Sequence, residues 1–184
     1  MMVLEKLKIT PRNLILLIIA LLGLVIFILI NQLIFSPLGR LVVPYGILDF
    51  EFAWTSEQVQ VIFAAWGPGG ILLQLNGVYW DFLYILGYVL FIFSCIVLVS
   101  RRLTGKLQTI GLYMSLTPIL AGLFDVIENI NLIIMLINPT GFQSIVPVLA
   151  STFALMKFAV LLVGIIYFFI SLILVIIRLL KKKI

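Results

Sequence analysis

The sequence predicts an all-α integral membrane protein: a four-transmembrane-helix bundle, N-in and C-in, with an amphipathic interfacial helix in its long outer loop. Three observations carry this. Of 184 residues, 64% are hydrophobic and only 10% are charged, against roughly 45–50% and about 25% in soluble domains. Four segments supply the ~20 mostly apolar residues that a crossing helix needs. The basic residues gather on alternate connections. So few charges cannot cover a soluble surface, which excludes a soluble domain, a disordered chain and a disulfide-rich scaffold. The single cysteine, Cys95, permits no intrachain disulfide. The chain has no histidine, which removes histidine-dependent triads, histidine-liganded zinc or haem, and histidine pH switching.

Residues 1–184 read as one four-span domain. Span one covers about 13–35, and its apolar run Leu14–Phe35 has 22 residues. A signal peptide's apolar region is about 7–15 residues and is followed by a small-residue cleavage site. Neither feature is present, so the segment is expected to stay as an anchor. The outer loop, 36–71, contains Thr55-Ser56-Glu57-Gln58, a capping-box pattern. Val59, Ile62, Phe63 and Trp66 follow at helical spacing. They predict a helix over 56–66 lying in the outer interface, with Ile62, Phe63 and Trp66 as a lid. Gly67-Pro68-Gly69-Gly70 is expected to stop it. Span two covers about 72–100, span three about 108–137 and span four about 147–177. Pro118 is expected to kink span three. Asn138-Pro139-Thr140-Gly141 is turn chemistry.

Ten of the twelve basic residues fall on one side: Lys6, Lys8, Arg12, Arg101, Arg102, Lys106, Arg178, Lys181, Lys182 and Lys183. The positive-inside rule makes that side cytoplasmic. The net charge of +5 has the same origin, and no nucleic-acid partner is implied. The expected location is the cell membrane.

Asp81, Asp125, Glu128 and Lys157 fall within the apolar spans. A charge at mid-span costs roughly 2.5–3.5 kcal/mol on insertion scales, so each needs a partner, water or a function. With a rise of about 1.5 Å per residue, Glu128 lies roughly 14 Å and Lys157 roughly 15 Å below the outer ends of their spans. The spacing predicts a Glu128–Lys157 ion pair between antiparallel neighbours, with Asp125 beside it. Asp125, Glu128 and Asn129 share one helix face, as do Asp81, Tyr84 and Tyr88. Together with Lys157 these form a candidate ligand pocket, to which Ser151 and Thr152 are possible additions. Asp125, Glu128 and Asn129 are too few oxygens for a metal site, and no cofactor fingerprint is found.

Three stretches, Leu48–Thr55, Tyr79–Tyr84 and Ala121–Asn129, resemble small multi-pass prokaryotic membrane proteins with an outer LDFEF-type loop and an AGLFDVIEN-type third span. The resemblance implies a multi-pass membrane protein and brings no activity with it.

Three functions compete on this reading. The first is a non-enzymatic protein whose outward-facing polar pocket binds a lipid or amphipathic ligand, or a partner subunit. The second is an intramembrane lipid-modifying enzyme using carboxylate acid/base chemistry. The third is a proton- or ion-conducting element, disfavoured because the inner halves of the spans are almost bare of ionisable groups. Partners are expected among membrane lipids, with a partner membrane subunit or a second copy of the chain as the other possibilities.

Overall fold

The computed structural model describes residues 2–181; Lys182 and Lys183, counted above among the basic anchors, lie outside them. The described residues form helices and connections, without strands. We number six helices: α1 (Met2–Lys6), α2 (Asn13–Leu41), α3 (Ile47–Glu51), α4 (Ser56–Ser100), α5 (Gly105–Ile137) and α6 (Ile145–Lys181). The helices α2, α4, α5 and α6 are each long and apolar enough to cross a membrane.

Each long helix outruns its sequence boundaries, and local chemistry explains where. Helix α2 does not end at Phe35. Residues Asn31–Phe35 form a π turn, in which the Ser36 N–H reaches the Asn31 carbonyl. The wider turn admits Pro37, which has no N–H, and the helix continues to Leu41. The first half of α4, residues 56–66, starts as expected, with Thr55 Oγ1 accepting from the Gln58 N–H at 3.2 Å. Only Gly67 then breaks the helix, at φ 64° and ψ 178°. Pro68 opens the second half of α4, where a missing N–H costs nothing, so this span begins at 68 rather than 72. Helix α5 begins at Gly105 and is interrupted at Ser115–Leu116, just before Pro118. Pro118 deprives the Met114 carbonyl of its helical donor, and the Thr117 hydroxyl replaces it at 2.8 Å. Helix α6 runs unbroken from Ile145 to Lys181, beyond the expected 147–177 at both ends.

Helix α2 packs on α4, α4 on α5, and α5 on α6, while α4 also reaches α6. Backbone meets backbone closely where Gly23 crosses Gly87. A Cβ on Gly23 would stand 2.6 Å from the Gly87 carbonyl oxygen, and one on Gly87 would stand 2.8 Å from the Phe27 nitrogen. Ala121, Ala150 and Ala154 are fully buried between α5 and α6. Small residues let backbones approach where lipid would offer no hydrophobic drive. Helices α2 and α6 are not among the pairs that pack extensively, so the bundle is open along that side.

The core lies at the end where α3 sits. Phe50 of α3 meets Phe63 at 5.3 Å and Trp66 at 5.4 Å between ring centroids. Val59, Ile62, Val78, Leu132 and Met135 complete the cluster. The apolar face of residues 56–66, expected to meet the membrane boundary, packs on the protein instead. Ile62, Phe63 and Trp66 are buried within the protein, against α3 and α5. Three polar contacts pin the same end. The Trp66 indole donates to the Tyr45 carbonyl at 2.8 Å, Gln60 donates to the Pro139 carbonyl, and the Trp54 N–H donates to Ser151 Oγ at 3.1 Å. At the opposite end Arg101 donates to the Leu7 and Pro11 carbonyls and to Asn13 Oδ1. It clamps the N-terminal segment as well as carrying charge.

Candidate functional site

The site is built around Lys157, which α6 places inside the bundle with 7% of its surface exposed. Its Nζ lies 2.7 Å from Glu128 Oε2, 2.9 Å from Asp125 Oδ1 and 3.4 Å from Glu51 Oε2. Only the Asp125 contact also has hydrogen-bond geometry. The Glu128–Lys157 pair read from depth is present, and Asp125 is beside it. Asp125 and Glu128 are three residues apart on α5, so both reach the facing helix α6. A second hydrogen bond fixes Asp125, whose Oδ2 accepts from the Tyr88 hydroxyl at 2.9 Å. Asn129, one residue beyond Glu128, donates to Asp81 Oδ2 at 2.6 Å. Helix α5 thus ties α4 and α6 together through polar contacts on one face.

Glu51 was not among the sequence candidates. Helix α3 brings it in. Phe50 is buried in the core, and the next residue is turned the other way, so that Ile47, Leu48 and Glu51 face the interior cavity. Glu51 is itself buried at 7% exposure. Burial pushes its carboxyl above the ordinary 4.5; Lys157 opposes this and Asp125 adds to it. The apolar anchor Phe50 therefore sets the position of a carboxylate, which is the physical content of the Asp-Phe-Glu-Phe stretch.

A cavity of about 510 Å³ opens beside this network, between α2 and α6, with α4 and α5 behind it and α3 at one end. That is within the usual range of small-molecule pockets, about 300–1,000 Å³. Its polar lining includes Asn31, Glu51, Gln74, Asp81, Asp125 and Lys157. Tyr84, Tyr88 and Asn129 also line it, so six of the seven candidates read from sequence share one cavity wall. Glu128, the seventh, is fully buried behind Lys157 and does not line it. Tyr84 stacks on Phe27 at 4.7 Å and meets Phe35 edge-on at 5.1 Å. Phe158 forms part of the opposite wall, with Lys157 Nζ 4.9 Å from its ring centre.

Two further expectations are corrected. Ile62, Phe63 and Trp66 are not a lid, because none of them lines the cavity; α3 and Leu38–Val42 border it instead. Ser151 and Thr152 do not join it either. Ser151 accepts from Trp54, and the Thr152 hydroxyl bonds the Val148 carbonyl. Gln74 was missed although a signal existed. Gln74, Asp81 and Tyr88 recur every seven residues, which places them on one helix face. No family model, curated protein or solved structure matches the chain.

Proposed function

We propose that this is a multi-pass protein of the cell membrane whose outer half holds a pocket for an amphipathic ligand drawn from the bilayer. Both termini are cytoplasmic on this reading, from the placement of the basic residues. The observation that carries it is the cavity itself. It is mostly apolar, it borders convergent polar groups on five different helices, and it lies where α2 and α6 leave the bundle open. A ligand sliding in from the side would place its tail between α2 and α6 and its head group near Asp81 and Asn129. A single tail suits this volume better than a partner's helix, which with side chains is about 10–12 Å across.

Native mass spectrometry of the protein extracted from its membrane in mild detergent tests this. One copy of an amphiphile should remain bound per chain. Gly39→Phe is the matched control. Gly39 lines the cavity, and a Cβ there meets nothing within 4 Å, so a ring is admitted at the cavity's edge without a clash at Cβ. Loss of the adduct in this variant supports the pocket. An adduct retained unchanged in Gly39→Phe overturns it.

A further inference from the structure

We propose that the ligand's head group is a cation, an ammonium carried on an apolar tail and seated at Asp81; this deepens the ligand-binding reading above and rests on it. The charges around the cavity do not balance. Glu51, Asp125 and Glu128 surround the one ammonium of Lys157. Asp81 stands apart from them. Its partner is the neutral amide of Asn129, and among the described residues no lysine or arginine nitrogen lies within 4.0 Å of it. A carboxylate partly withdrawn from water is stabilised by a compensating charge or a proton, and among the described residues no cation is placed at Asp81.

An unsatisfied polar group also borders the same cavity. Gln74 lies seven residues before Asp81 on the same face of α4 and lines the cavity with only 2% of its surface exposed. Its side-chain carbonyl has no hydrogen-bond partner. Such groups are normally satisfied in folded proteins. Seven residues of helical rise, roughly 10 Å, separate Gln74 from Asp81, so it is a separate acceptor along the same wall and the ammonium is held by Asp81.

The remaining walls agree with this ligand. Tyr84, one turn beyond Asp81, turns with Phe27 and Phe35 an aromatic surface toward the same space, and cations are attracted to ring faces. Leu161 and Ile165, one and two turns beyond Lys157, give the tail an apolar wall. An anionic head group would meet repulsion from the acids. A primary ammonium comes from two sources, a free long-chain amine or an ethanolamine head group, and the latter brings a phosphate beside the same acids.

The test measures saturable binding of dodecylamine and of its neutral counterpart dodecanol to the full-length protein in maltoside detergent, with protein-free micelles as the partition control. Wild type should prefer the amine by at least about tenfold, which corresponds to about 1.4 kcal/mol. Asp81→Asn keeps an oxygen that can accept from Asn129. It should lose that preference, its amine binding falling to the level of the alcohol. Gly39→Phe should lose both probes. Equal binding of amine and alcohol, unchanged by Asp81→Asn, overturns the cationic ligand and leaves the pocket standing. That result would mean Asp81 is neutralised by a proton. Binding of neither probe to wild type overturns the pocket itself. Displacement of dodecylamine by phosphatidylethanolamine supports the proposal with a lipid source, and resistance to displacement supports it with a free amine.

Discussion

At the scale of single residues, Lys157 holds three carboxylates from α3 and α5 in one place. Removing it leaves those acids facing one another without a counter-ion. Breaking a buried ion pair from one side costs about 3–5 kcal/mol. Lys157→Met should therefore lower the melting temperature in detergent sharply. Glu128→Gln should cost less, because Asp125 and Glu51 still face Lys157. The double variant should be more stable than the sum of the two losses predicts, with a coupling of about 0.5–3 kcal/mol. Strict additivity would show that the pair does not interact. Glu51 adds a pH dependence. Burial raises its carboxyl above the ordinary 4.5. A group shifted upward contributes its full stability below the ordinary value and loses it as pH rises through the folded value. Thermal melts across about pH 5 to 8 should thus show wild type losing stability relative to Glu51→Gln. A gap that widens in favour of wild type as pH rises would contradict that sign.

At the scale of elements, the breaks within helices matter more than their lengths. Gly67 adopts φ 64° and ψ 178°, a region open essentially to glycine alone, where other residues cost about 1–3 kcal/mol. Gly67→Ala should lower the melting temperature accordingly, although no side chain contact is lost. Phe63→Asp puts a carboxylate into the Phe50–Trp66 cluster. It should loosen residues 56–66 and increase proteolysis within Gly67–Gly70; unchanged cleavage would mean that this half-helix is not held by the core. The four spans, the Gly67 break and the Pro118 kink were legible because apolar run length, glycine and proline act locally. The Glu128–Lys157 pair was legible because helical rise converts sequence position into depth. Glu51 was not, because its location depends on how Phe50 docks a five-residue helix onto distant α4. The end of α2 was misplaced for a related reason. Its apolar run ends at Phe35, and a π turn carries the helix on through Ser36-Pro37.

At the scale of the whole molecule, orientation and occupancy are the two claims. If the basic connections are cytoplasmic, cysteines introduced at Glu57 and Thr140 should react with an impermeant thiol reagent applied to intact cells, whereas one at Lys106 should not. Labelling at Lys106 from outside would reverse the topology. The Gly23–Gly87 contact holds α2 against α4, and with it the aromatic wall of Phe27 and Phe35 opposite α6. Gly23→Leu should push α2 away and destabilise the bundle by about 1–3 kcal/mol through overpacking.

The central claim is that the space between α2 and α6 is a binding site and not a packing gap. An experimental density map of the wild-type protein, extracted with its native lipids, tests this most directly. The account predicts an elongated density running between α2 and α6, with its head beside Asp81 and its tail along Leu161 and Ile165. A map in which α2 closes directly onto α6, leaving the Lys157 cluster dry and no room beside Asp81, would contradict it.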